Sequence, residues 1–212
     1  MTKLVLASTS PARLILLRNG GIEPLTIAPG VDEDEVTAVG RAEGVIQNTA
    51  DMVGLLARAK AEAVAGRPEA AGALVLGCDS SLEFDGEALG KPHHPEVAIA
   101  RWKAMRGRSG RLFSGHYLID NRNPQQAVAV GSVSFTTVHF ADITDAELAA
   151  YVATGEPLKV AGAFTIDGLG GAFLDRIDGD PHTVVGLSLP ILRQMVIELG
   201  LEYHSLWNRA SQ

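Results

Sequence analysis

Residues 4–13 read Leu-Val-Leu-Ala-Ser-Thr-Ser-Pro-Ala-Arg, a buried strand running straight into a helix. Leu4, Val5, Leu6 and Ala7 form the short apolar run of a strand covered on both faces. Ser10 has the chemistry of an N-cap, and Pro11 suits the first helical position, where its missing N–H loses no bond. A helix N-terminus presents unpaired amides and a partial positive charge, so phosphate is a natural ligand there. Ser8, Thr9, Ser10 and Arg13 crowd that end, and a helical side chain in the first turn leans back toward it. The same residues also read as an ordinarily capped helix with a surface arginine. A buried strand feeding such a helix marks an α/β protein.

Outward from this unit, the chain continues in the same style. The helix opened by Ser10 turns Leu14 and Leu17 inward and ends at Gly20-Gly21. A second strand near Leu25 to Ala28 leads to an acidic loop, Asp32-Glu33-Asp34-Glu35, which holds Glu33. Residues 36–48 show no clear period and read as a loop. Thr49 to Ala65 is helical, with Met52, Val53, Leu56, Ala59, Ala63 and Val64 on one stripe. Lys60 falls inside that stripe, either snorkelling to the rim or pointing into a negatively charged cleft. Ala73 to Cys78 forms another apolar strand, with Asp79 at its carboxyl end. Asp85-Gly86 then signals a two-residue hairpin turn pairing Phe84 with Glu87. Extended, that register sets Lys91 beside Asp79.

Farther on, Pro95 to Met105 reads as a helix, and 111–120 and 128–140 as strands. Thr144-Asp-Ala-Glu147 is a capping box opening a helix to about Thr154. Residues 160–178 read as extended and glycine-rich. Ser188 and Pro190 open a last helix closed by Gly200.

Composition bounds the function. The 212 residues are 46% apolar and 20% charged, as in a folded domain with a sizeable core. No repeat or linker divides them, so a single domain over 1–212 is expected. The formal net charge of −7 argues against a nucleic-acid polymer as partner, which would need a basic surface. A small phosphorylated ligand needs only a local positive pocket. A single cysteine, Cys78, excludes an internal disulfide and fits a reducing compartment. With no signal-peptide pattern and no membrane-length apolar run, a cytoplasmic protein away from membranes is expected.

Seven charged or hydroxyl groups point to phosphate chemistry when taken together. Asp79 stands at the carboxyl end of a buried strand, where open α/β sheets place ligands. Glu33 and Asp79 are carboxylates of the kind that hold Mg²⁺ beside phosphate. Ser8 and Ser10 lie at the anion-binding helix end, and Arg13, Lys60 and Lys91 are the candidate phosphate cations. Singly, each reads equally well as a capping or solvated group. There is no phosphate loop of the Gly-x-x-x-x-Gly-Lys type, no serine elbow, and no helix after Gly168-Leu-Gly-Gly171 to make a dinucleotide site.

These strings, in this order, resemble the Maf-like nucleoside triphosphate pyrophosphatases. The marks are Ala-Ser-Thr-Ser-Pro-x-Arg at 7–13, Val-Asp-Glu at 31–33, Ala-Arg-Ala-Lys60, Asp79-Ser80 and Gly-Lys-Pro at 90–92. Ser114-Gly115, Thr-Gly-Glu-Pro at 154–157, Ala-Gly-Ala-Phe at 161–164 and Val185-Gly186-Leu187 continue them. The resemblance implies an α/β fold with a mixed central sheet, flanking helices and two lobes around a nucleotide-binding cleft. It implies hydrolysis of a nucleoside triphosphate, canonical or modified, to monophosphate and pyrophosphate with a divalent cation, Mg²⁺ or Mn²⁺. By position Asp79 is similar to the family's catalytic carboxylate and a metal ligand, with Glu33 the second. Ser8, Ser10, Arg13, Lys60 and Lys91 match its phosphate-handling positions. The resemblance also suggests a homodimer. Ala12 stands where most members carry another arginine, Ser80 where many have threonine and Ser188 where proline is common. Asp167 occupies the position that differs between members preferring different bases, which makes it the candidate for base specificity. A non-catalytic nucleotide-binding regulator of cell division, to which Ala12 points, and a phosphatase for other small phosphates are the alternatives.

Overall fold

In a computed structural model, which describes residues 1–208, alternate residues of the first strand, β1 (Leu4–Ala7), belong to two different cores. Leu4 and Leu6 pack with Leu17, Ile22, Leu74, Leu76, Leu192, Met195 and Val196, whereas Val5 and Ala7 pack with Ala61, Val64, Val75 and Ile119. A strand buried on both faces needs the unbroken apolar run that residues 4–7 supply.

The elements follow in chain order. They are α1 (Pro11–Asn19), β2 (Leu25–Thr26), α2 (Glu33–Ala42), α3 (Thr49–Ala65), β3 (Leu74–Phe84), β4 (Glu87–Leu89) and α4 (Pro95–Met105). Then come β5 (Ser109–Asp120), β6 (Val128–Phe140), α5 (Asp145–Ala153), β7 (Leu174–Asp178), α6 (Pro181–Val185) and α7 (Leu189–Glu198). The strand order is β2-β1-β3-β5-β6-β7, with β4 on β3. β1 pairs in parallel with β2 and β3, while β3/β4 and β6/β7 are antiparallel. This is a mixed sheet with flanking helices.

The chain divides into two compact units. The first holds residues 1–79, 114–134 and the chain from Gly186 onward. In it α1 and α7 supply Leu17, Leu192, Met195 and Val196 to one core, and α3 supplies Ala61 and Val64 to the other. Gly77 and Gly115 let α3 approach its strands. A Cβ on Gly77 would stand 2.1 Å from the Ala57 carbonyl oxygen, and one on Gly115 2.2 Å from that of Val53. Glycine in a strand interior marks such a close approach.

The second unit holds residues 80–113 and 135–185. Its core centres on Trp102, which meets Phe140, Tyr151 and Phe173 edge to face and donates its indole N–H to the Ala163 carbonyl at 2.7 Å. Asp85 and Gly86 both have positive φ, 50° and 82°, and the hairpin they turn pairs Phe84 with Glu87 as the sequence predicts. The Thr144–Glu147 capping box is formed in full.

Three readings change. Residues 36–48 are not one loop, and Glu33 does not sit in a loop, because α2 covers Glu33–Ala42. Asp32 caps this helix through the Glu35 amide, and three acids in its first turn favour the positive end of the dipole. Gly40 lets it settle against Leu55 and Ile46. The buried stripe of α3 is Val53, Leu56, Ala57, Lys60, Ala61 and Val64, rotated from the expected one so that Ala63 is exposed. Residues 160–178 are not simply extended: 3₁₀ turns at Ala161–Ala163 and Leu169–Phe173 precede β7.

The second of those turns hangs on Glu156. Its Oε1 accepts the Tyr151 hydroxyl at 3.0 Å and the Gly170 amide at 2.9 Å, and its Oε2 accepts the Leu169 amide at 3.0 Å. Burial works against the Glu156 charge, but these N–H and O–H donors outweigh it and hold the carboxyl below its usual value. Burial pushes the Tyr151 hydroxyl up, so it stays a donor. A depressed carboxyl contributes stability that is present above its unfolded value, about pH 4.3, and is lost as pH falls through the folded one. Glu156→Gln should therefore lower Tm at pH 7, with the difference from the parent shrinking as thermal melts are run down to pH 3.

Candidate active site

Within the first unit, one buried cation joins two of the acidic groups singled out in the sequence. Lys60 lies on the inward face of α3, its side chain 8% exposed. Its Nζ donates to Asp79 Oδ1 at 2.6 Å and meets Glu33 Oε1 at 2.7 Å. Gly77, two residues before Asp79, draws α3 onto β3 and so brings the fourth turn of that helix within reach of the aspartate. Asp79 does not end its strand, since β3 runs on to Phe84. It stands just past the last parallel pair with β1, Ala7–Gly77, and before the hairpin ladder that starts at Leu82. That change of partners is where a side chain at the carboxyl end of parallel strands becomes available for chemistry.

The charge balance of the cluster follows from its depth. Burial is the largest influence on Asp79 and pushes its carboxyl above the usual range. Lys60 and Arg13 pull it back, and Glu33 pushes it up again. Within this unit Lys60 is the ammonium that lies on Asp79 Oδ1. Glu33, at the first position of α2, has a side chain 53% exposed, so it is the solvent-facing member.

Beside this cluster stands the β1–α1 junction. Ser10 caps α1, accepting the Arg13 amide at 3.4 Å. Ser8 is buried, and its Oγ accepts the Ser10 amide at 3.1 Å and an Arg13 NH1 proton at 3.2 Å. Arg13 itself is turned into the fold, giving Nε to the Gly186 carbonyl at 2.8 Å and NH1 to the Cys78 carbonyl at 2.9 Å. Nothing in positions 4–13 announces these acceptors, which lie 65 and 173 residues away in sequence. The glycine at 186, with φ 107°, is the only hint the sequence offers of an unusual backbone there.

The remaining candidates lie in the second unit. Lys91 is exposed and follows β4 by two residues. Asp167 is exposed and accepts a hydrogen bond from the Thr165 hydroxyl. The thiol of Cys78 is fully buried, and burial pushes it up to about 11, so it is neutral and unreactive near pH 7.

Among the described residues no three or more His, Cys, Asp or Glu side chains gather as a metal cage. What the cluster offers is two carboxylates converging on one cation. That oxygen donor pair fits Mg²⁺ or Mn²⁺, which commonly takes one or two carboxylates and completes its shell with water and phosphate oxygens.

The model of the Maf-like proteins matches residues 3–199. The chain belongs to the Maf family. Maf relatives span nearly its full length. A nucleoside triphosphate pyrophosphatase of Leifsonia xyli is 56% identical over 98% of each chain. One of Salinispora tropica is 55% identical over 99% of this chain and 89% of its own. One of Streptomyces avermitilis is 52% identical over 97% and 94%. Among the described residues of this Maf protein no helix is long and apolar enough to cross a membrane.

Proposed function

We propose that this chain hydrolyses a nucleoside triphosphate to the monophosphate and pyrophosphate, and that Asp79 is its general base. The observation that carries the reading is the Lys60–Asp79–Glu33 cluster: a carboxylate side chain only 10% exposed, kept ionisable by a buried ammonium at 2.6 Å. The names of relatives more than half identical over nearly the whole chain supply the substrate class.

In this reading water attacks the α-phosphorus in line with the bond to the β-phosphate bridging oxygen, which leaves with pyrophosphate. Asp79 takes the proton of the attacking water; a carboxyl raised by burial is a stronger base than a solvated one. Ser8 donates its hydroxyl proton to a phosphate oxygen. Lys60, already anchored between two acids, offsets charge gathering on the phosphates, as preorganised cations do in such transition states. Lys91 joins it from the family resemblance alone, and Asp167 is assigned to the base on the same ground. Glu33 and Asp79 would hold a divalent cation together with water and phosphate oxygens, and the cation would supply polarisation of the phosphoryl group. The protein acts in the cytoplasm.

The test is a screen of common and methylated nucleoside triphosphates with Mg²⁺, reading both pyrophosphate and orthophosphate. Pyrophosphate from at least one substrate is expected. Orthophosphate alone would make the protein a phosphatase, and nucleotide binding without either product would make it a regulator.

A further inference from the structure

We propose that Arg13 is a positioning residue, which sets the hydrogen-bonding polarity of Ser8 and the backbone that carries Asp79, and does not bind the phosphates. This inference rests on the pyrophosphatase reading and deepens it.

The guanidinium is buried, with 9% of the residue exposed, and it ties together three segments of the first unit. Nε holds the Gly186 carbonyl at 2.8 Å, just before Ser188 caps α7. NH1 holds the Cys78 carbonyl at 2.9 Å, the oxygen of the peptide bond that joins Cys78 to Asp79. NH1 also donates to Ser8 Oγ at 3.2 Å, the oxygen that accepts the Ser10 amide at 3.1 Å. A hydroxyl has two acceptor positions and one proton. With two N–H groups on its oxygen, Ser8 has only its O–H to offer a ligand, so it faces the substrate as a fixed donor, the role an anionic phosphate oxygen requires. Arg13 thus acts on the reacting phosphate through Ser8 and Asp79. The rigid guanidinium fork suits this work, because it reaches two carbonyls and a hydroxyl at once; an ammonium keeps the charge but not the span.

Charge and span are separated by Arg13→Lys. In the full chain, with the best nucleotide from the screen and Mg²⁺, this variant should lose about a hundredfold in kcat, the usual scale for a small misplacement of catalytic groups. KM and competitive inhibition by inorganic pyrophosphate should stay within about threefold. Placed on Ser8→Ala, the same change should lose far less than it does alone, since the two residues act as a unit. A variant that keeps kcat but binds nucleotide and pyrophosphate more weakly would overturn the proposal, because that is how a phosphate ligand fails. Fully additive losses would overturn the route through Ser8.

A second arm needs no variant and no turnover. The Arg13 Nε–H resonance of the wild-type protein should exchange slowly with solvent and keep its position when inorganic pyrophosphate and Mg²⁺ are added. A large shift on addition would show direct contact and sink the proposal. Absence of pyrophosphate release from every nucleotide overturns the underlying function instead, and leaves the slow exchange of Nε–H as it was.

Discussion

Asp79→Asn should lower turnover by about a thousandfold, the middle of the range expected when a general base is lost, while the protein remains folded. Asparagine matches aspartate in shape, and its amide oxygen can still accept the Lys60 ammonium that now reaches Asp79 Oδ1 at 2.6 Å. What it cannot do is take a proton from water. The loss should fall on kcat more than on KM, because the β1–α1 junction proposed to meet the phosphates is held by Ser10, Ser8 and Arg13 and not by this side chain. Steady-state kinetics with pyrophosphate detection, alongside a thermal melt, checks both halves. A variant that folds and turns over within tenfold of the parent would remove Asp79 from the chemistry.

Lys60→Met should be strongly destabilising, by about 3 kcal/mol, and should abolish activity. The side chains of Lys60 and Asp79 are 8% and 10% exposed, so each is the other's main compensation for leaving water. Removing one partner of a buried pair leaves an uncompensated charge, which costs about 3–5 kcal/mol. Part of that is recovered if Asp79 takes up a proton, a response that its burial already favours. The double change Lys60→Met with Asp79→Leu should therefore be more stable than Lys60→Met alone, since a packed apolar pair escapes the desolvation penalty. Urea unfolding of the three variants gives the comparison. Equal stability of the parent and Lys60→Met would mean that the pair contributes nothing to the fold.

The local half of this site was legible in the chain. Apolar runs, the Ser10 cap and Pro11 announce β1 and α1, and their boundaries depend on neighbours only a few residues away. The same is true of α3, whose Thr49–Ala65 span the periodicity predicts outright. Lys60 could be located in the inward stripe because a helix repeats its faces whatever it packs against. Its partners could not, since a ladder of side-chain periods contains no distances between α3, β3 and α2.

Where reading failed, tertiary contacts decide the structure. The first turn of α2 is three acids in a row, which look solvated until Asp32 caps them and Gly40 packs on Leu55 and Ile46. The turn at Leu169–Phe173 has no propensity of its own and borrows the Glu156 carboxylate. Arg13 shows the sharper limit. Its place in the first turn is plain from the sequence, and the natural inference is a side chain reaching out to an anion. Two backbone carbonyls from distant segments take it inward instead, and carbonyl positions leave no trace in residue identity.

The most direct measurement is ³¹P NMR of the reaction run in ¹⁸O-enriched water with Mg²⁺ and the preferred nucleoside triphosphate. If water is driven onto the α-phosphorus by the buried base, the heavy oxygen will appear in the monophosphate and the pyrophosphate will be unlabelled. Label in the pyrophosphate, or orthophosphate and diphosphate as the products, would contradict that chemistry.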